Sequence, residues 1–158
     1  MNVELLNPFI SAAVEVLEQE VSATAQRGEI SLQRSAYTTS EVTTMLSIVG
    51  EVQGMVLYGM PTNMALALVS QMMGQEFTEF DDLAQSGIGE LGNVITGRAS
   101  TKLSAGGFTA NLSPPTLVVG KGLLVSTLDF QRLVIPLATQ FGTLEIQLAL
   151  RENEGGVK

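Results

Sequence analysis

Cysteine, histidine and tryptophan are all absent from this chain. Without cysteine there can be no disulfide, no thiolate nucleophile and no thiolate-bound metal. Without histidine there is no Ser-His-Asp triad, no imidazole acid or base and no imidazole metal ligand. Cations are also scarce, with 8 Lys and Arg against 16 Asp and Glu and a net charge of −8. Such a surface repels polyanions, so neither nucleic acid nor an anionic membrane is expected as a partner. No unbroken apolar run approaches the roughly 18 residues that cross a bilayer. The opening Met1-Asn2-Val3-Glu4 lacks the basic start and apolar core of a secretory leader. A cytoplasmic protein is the expectation. Whatever chemistry it performs must come from carboxylates, amides, hydroxyls and a few cations.

What remains is a chain of 158 residues, 45% hydrophobic and 15% charged, enough for one domain with a full core. The expected boundaries are 1–150 for that domain and 151–158 for a polar tail. Asn7-Pro8 reads as the opening of a first helix, with Asn as cap and Pro at the first helical position. Phe9, Ala12, Ala13, Val16 and Leu17 follow at helical spacing, and the helix is expected to end before Gly28. Alternation then predicts strands from Ile30 to Gln33 and from Tyr37 to Thr44. Val42–Val49 and Val52–Tyr58 form a hairpin about Gly50-Glu51. Pro61 and Gly74 bracket a short apolar helix from Thr62 to Met73. Thr78-Glu79-Phe80-Asp81 reads as a capping box for a long helix reaching about Leu103 and stopped by Gly106-Gly107.

Further strands are expected at Phe108–Asn111, Thr116–Val119, Leu123–Leu128, Arg132–Ala138 and Gly142–Leu150. Gly120-Lys121-Gly122 reads as a hairpin turn, since it lacks the longer glycine pattern of a phosphate loop. The sum is an α+β fold, a mainly antiparallel sheet with about three helices packed on it. Met60, Met64, Met72 and Met73 read as core filling rather than as a binding surface. Asp81-Asp82 reads as a complement to a helix dipole rather than as a metal pair.

The long helix carries the most information. At about 100° per residue, Ala84, Ile88, Leu91, Ile95 and Ala99 make one apolar stripe. Ser86, Glu90, Asn93 and Gly97 make a second stripe on nearly the opposite side, so Glu90 and Asn93 are neighbours one turn apart. Gly87, Gly89, Gly92 and Gly97 each cost about 1 kcal/mol of helix preference relative to Ala. Gly89 and Gly97 flank the Glu90/Asn93 pair and leave the surface beside it bare, so a second backbone could approach closely. Gly87 and Gly92 lie nearer the apolar side and read as packing residues.

The spacing Ser86-x-x-x-Glu90-x-x-Asn93 resembles the signature of the CheC/CheX/FliY phosphatases: Asp or Ser, three residues, Glu, two residues, Asn, and a proline about twenty residues on. Here 21 residues separate Asn93 from Pro115. Asn7-Pro8-Phe9-Ile10 and Ser113-Pro114-Pro115-Thr116 with Gly120 extend the likeness over most of the chain. A four-position motif is weak alone; its place on a glycine-rich helix in a domain of this length strengthens it. The chain is most similar to the CheX branch. CheC and FliY proteins carry two copies of the motif, whereas the first helix here has Glu18 where the second Asn would be required. One site per chain is expected.

The resemblance implies a CheX-like fold, a CheY-like phosphorylated response regulator as partner and substrate, and a homodimer joined through sheet edges. It also implies that Asn93 orients the attacking water while Glu90 pairs with the regulator's active-site lysine. Ser86, Gly89 and Gly97 are expected as partner contacts. No metal ligand and no cofactor is expected on this chain; Mg²⁺ is expected on the phosphorylated regulator. The competing expectation is a non-catalytic adaptor of the same fold that binds a regulator or a flagellar or chemotaxis component.

Overall fold

The computed structural model describes residues 3–34, 36–127 and 131–153. In chain order the elements are α1 (Val3–Val21), β1 (Gln26–Arg27), β2 (Ser31–Gln33), β3 (Tyr37–Thr38), β4 (Val42–Gly50), β5 (Val52–Met60), α2 (Thr62–Met73), α3 (Asp82–Ala105), β6 (Ala110–Leu112), β7 (Thr116–Val119), β8 (Leu124–Val125), β9 (Arg132–Thr139) and β10 (Gly142–Glu152). The main sheet runs β1-β9-β10-β5-β4-β6, with β2 also paired to β9 and β7 also paired to β4. The described pairings are all antiparallel. The fold is α+β, as the sequence pattern predicts.

Strand periodicity explains which face the helices cover. Val42, Leu46 and Ile48 of β4, Val52, Val56, Tyr58 and Met60 of β5, Ile135 and Leu137 of β9, and Leu144, Ile146, Leu148 and Leu150 of β10 share one buried face. The apolar sides of α1, α2 and α3 join the same cluster. On the opposite face, Tyr37 of β3 lies over Gly59 so closely that a Cβ there would meet its hydroxyl at 2.6 Å. Arg132 sits 5.7 Å from the centre of the Tyr37 ring. Its Nε donates to Gln147 Oε1, and Gln147 Nε2 donates to Glu145 Oε1 at 2.7 Å. These partners allow Arg132 and Gln147 to be buried. No described helix is long and apolar enough to cross a membrane.

The structure moves several boundaries. α1 begins at Val3, so Pro8 lies inside it rather than at its start and Asn7 is not its cap. An interior proline costs about 3 kcal/mol. The additional turn buries both Leu5 and Leu6, and each such burial is worth about 1.5–3 kcal/mol. The expected capping box at Thr78 does not form: Asp81 is the cap of α3, accepting from Ala84 N at 2.9 Å. Phe77 is buried and its N–H donates to Ser70 Oγ at 3.0 Å, which ties this connection to α2 and delays the helix.

Gly120-Lys121-Gly122 is a turn but not a hairpin, because β7 pairs with β4 and β8 with β3. The turn steps between two sheets, held by Gly120 N to Glu41 O and Gly122 N to Thr39 O. Strand β6 starts at Ala110 rather than Phe108, and β8 covers only Leu124–Val125 of the expected Leu123–Leu128; Leu128 lies outside the described residues. Strand β10 runs through Glu152, and Asn153 N donates to Glu51 O at 2.7 Å, so the expected polar tail begins later than Arg151. Residues 154–158 lie outside the described residues.

Candidate functional site

α3 is held by the residues that the periodicity singles out. Ala84, Ile88, Leu91, Ile95 and Ala99 are all buried. Gly92 belongs to this seam: a Cβ there would stand 2.8 Å from Thr44 Cγ2 and 3.5 Å from the Tyr58 ring. Close approach of helix to sheet also lets Tyr58 OH meet Thr96 Oγ1 at 2.7 Å, while Thr96 Oγ1 donates to Gly92 O at 2.7 Å. Burial pushes the Tyr58 phenol pKa well up. Gly87 packs against α2, its missing Cβ leaving room for Met73 Cε and Val69 Cγ1, each at 3.0 Å. Gly87 and Gly92 are thus the packing glycines of the helix.

With that seam fixed, the opposite stripe faces outward. Ser86 and Glu90 are exposed; Gly89, Asn93 and Gly97 are partly exposed. Neither Glu90 nor Asn93 is hydrogen-bonded or ion-paired to another side chain among the described residues. Among the described residues nothing outside the helix itself stands within 4 Å of a Cβ placed on Gly97, and beside Gly89 the only such neighbour is Pro115 Cγ at 3.9 Å. The helix surface next to the pair is therefore low. Glu90 and Asn93, three residues apart, project together from adjacent turns.

The two flanks differ. On one side an open groove of about 470 Å³ is lined by Asp82, Gln85, Ser86, Gly89, Glu90, Pro115 and Leu117. Its far wall is placed by β7, paired to β4, and by Ser113, which receives Ser47 N on its Oγ at 2.9 Å and donates its own N–H to Ser47 O at 3.0 Å. On the other side, α1 presents Glu15 to α3. Lys102 Nζ donates to Glu15 at 2.8 Å, Arg98 Nη1 at 3.4 Å and Ser11 Oγ at 3.0 Å. The Lys102 hydrogen bond, then that of Ser11, holds the Glu15 carboxyl below its ordinary range. Glu15 is thus engaged with two cations of α3.

The structure brings all five expected residues, Ser86, Gly89, Glu90, Asn93 and Gly97, onto one face. Sequence reasoning missed Asp82, Gln85 and Leu117 as groove residues, and also Leu83, which reaches solvent at the N-terminal end of the same face. The helical spacing Leu83-x-x-Ser86 could have revealed Leu83. Met73, which the sequence suggests as core filling, instead reaches solvent at the end of α2. Met60 and Met64 are buried core residues, as expected. Asp81 caps the helix, and among the described residues no group of three or more acidic side chains is arranged to hold a metal ion.

Three kinds of comparison bear on this site. The family model for the chemotaxis phosphatase CheX matches residues 42–138. The CheY-P phosphatase CheX of Thermotoga maritima is 29% identical over 157 residues, which is 99% of this chain and 100% of that protein. Among solved structures, a CheC-like superfamily protein from Shewanella sp. PV-4 superposes with a TM-score of 0.87 at 25% identity, covering 96% of this chain and 99% of that one. The CheX–CheY–BeF₃–Mg²⁺ complex from Borrelia burgdorferi contains a chain that matches with a TM-score of 0.80 at 26% identity, covering 93% of this chain and 97% of that one. The family match spans more than half of the sequence and includes the whole exposed stripe of α3, so this chain belongs to the CheX family of chemotaxis phosphatases.

Proposed function

We propose that this protein hydrolyses the aspartyl phosphate of a CheY-like response regulator, with Asn93 directing the attacking water and Glu90 fixing the docked geometry. The observation that carries this reading is the joint projection of Glu90 and Asn93 from a helix face that Gly89 and Gly97 leave bare. It is supported by the activity named for the Thermotoga relative and by the Borrelia complex, in which CheX is bound to CheY with BeF₃ and Mg²⁺.

An acyl phosphate is already reactive, and its hydrolysis requires mainly a water placed in line with the breaking P–O bond. The water oxygen bonds to phosphorus as the bond to the aspartyl oxygen breaks, giving inorganic phosphate and the free carboxylate. A carboxamide is well matched to that water. Its oxygen accepts a hydrogen bond, its amino group donates one, and it brings no negative charge beside the phosphoryl group. A carboxylate in that place would be repelled. Glu90 instead pairs with the regulator's active-site lysine and sets the register of the helix. Mg²⁺ belongs to the regulator, and the reaction takes place in the cytoplasm. Two copies of this chain join through sheet edges as a homodimer, which size-exclusion chromatography with light scattering will read as twice the chain mass.

The test is to phosphorylate response regulators from the same genome and follow loss of phosphate with and without the protein. Asn93→Ala is expected to lower the accelerated rate by a factor of about 100 or more while leaving regulator binding intact, because orienting one reactant is worth several kcal/mol. Glu90→Ala is expected to weaken both binding and rate. Release of phosphate by Asn93→Ala at the wild-type rate would remove the catalytic assignment. Binding by the wild type without any acceleration would leave an adaptor.

A further inference from the structure

Two large apolar side chains reach solvent near the N-terminal end of α3 and have no part in the reaction above: Leu83, 51% exposed, and Met73, 36% exposed. Leu83 precedes Ser86 by three residues and Glu90 by seven, a spacing that places it at the N-terminal end of the Ser86–Glu90–Asn93–Gly97 stripe. Met73 arrives from the last turn of α2. Its Cε lies 3.0 Å from where a Cβ on Gly87 would stand, and Gly87 follows Leu83 by one turn of α3. The absence of a side chain at 87 therefore lets a methionine from a neighbouring helix lie against α3 one turn from the leucine. Met60 and Met64 are sealed in the core; Met73 is not.

A single exposed leucine is unremarkable on a protein surface. Two exposed apolar groups from different helices, both within about one turn of Gly87 at the N-terminal end of α3, are placed there by the packing. Dimensions say what covers them. Seven helical residues separate Leu83 from Glu90, about 10.5 Å along the axis. A specific protein interface covers about 800 Å² on each partner, a patch roughly 16 Å in radius. A regulator seated over Glu90 and Asn93 thus extends across Leu83 and Met73, and the flexible thioether adapts to whatever shape it presents.

Building on the proposed docking of a regulator over Glu90 and Asn93, we infer that Leu83 and Met73 are the apolar anchor of that interface. They receive an apolar side chain that the phosphorylated regulator carries beside its phosphorylation site. They are positioning residues: they set affinity and leave the chemical step to Asn93.

The experiment titrates a BeF₃⁻/Mg²⁺-activated regulator, one that the wild type dephosphorylates, into the wild type and the Leu83→Gln/Met73→Gln double variant, and measures turnover of the phosphorylated form by both. Expected are a rise of about tenfold in Kd and in KM, the scale of losing two half-buried apolar contacts, and a kcat within about twofold of wild type because the reacting groups are untouched. Leu83→Met with Met73→Leu should restore wild-type affinity. Should the double variant fail to fold, Leu83→Ser alone, on the exposed first turn of α3, is read by the same titration and is expected to raise Kd about threefold. An unchanged Kd in a folded variant, or a loss confined to kcat, overturns the anchor while the proposed function stands. A wild type that neither binds nor dephosphorylates any regulator overturns the proposed function, and the anchor with it.

Discussion

Four glycines on one helix have opposite reasons to be there. At Gly97 a methyl group would meet none of the described residues outside the helix within 4 Å, so Gly97→Ala should stabilise the isolated protein by about 1 kcal/mol through helix preference alone. At Gly92 the same methyl would stand 2.8 Å from Thr44 Cγ2, and overpacking of that kind costs about 1–3 kcal/mol. Gly92→Ala should therefore lower the melting temperature while Gly97→Ala raises it, and thermal denaturation of the two variants checks both signs. Gly97→Leu should keep the fold and lose regulator binding, which the same titration would show. The spacing of residues made Glu90, Asn93 and the split between Gly87/Gly92 and Gly89/Gly97 legible in the sequence, because a helix turns side-chain order into direction. The partners of those glycines were not legible: that Thr44 lies under Gly92, or Met73 over Gly87, depends on how distant elements pack.

At the scale of the element, α3 is steadied from both sides, and one side responds to pH. Lys102, Ser11 and Arg98 hold the Glu15 carboxyl below its ordinary value of 4.5. A depressed carboxyl contributes stability above its unfolded pKa and loses it as pH falls through the lower, folded one. The stability difference between wild type and Glu15→Gln should therefore be constant at neutral pH and shrink as pH drops below 4.5. Denaturant melts across that range measure it. The difference should be small and salt-sensitive, since the group is largely solvated. Helix ends were the least legible part of these elements. Thr78 offers a good local cap, but the anchoring of Phe77 to Ser70 overrides it, and Asp81 takes the role three residues later. At α1, burial of Leu5 and Leu6 outweighs the proline that a local rule reads as a beginning.

For the whole molecule, the β4–β5 hairpin was legible, whereas the expected hairpin at Gly120-Lys121-Gly122 joins strands of different sheets, and sheet order was not legible. β4–β5 and β9–β10 are joined by short turns, and alternation with glycine marks both. Their union through β10 and β5 joins segments far apart in the chain. Its trace in the sequence is one glycine: Gly54, at φ 142°, where a Cβ would come within 1.9 Å of Ala149 O. The two hairpins thus make one rigid wall behind α3, and the motif side chains point away from it.

That outward direction has a consequence for what the protein can consume. Glu90 and Asn93 stand on an exposed helix face beside an open groove, and among the described residues that line that groove there is no Lys or Arg to serve as counter-charge for an anion. A small acyl phosphate in free solution finds nothing there to enclose or neutralise it. Acetyl phosphate with no regulator present should decay at the same speed with or without the protein, as phosphate release will record, while in a separate tube the same protein clears a phosphorylated regulator. Under the proposed function selectivity needs no gate: half of the reaction chamber travels on the other molecule.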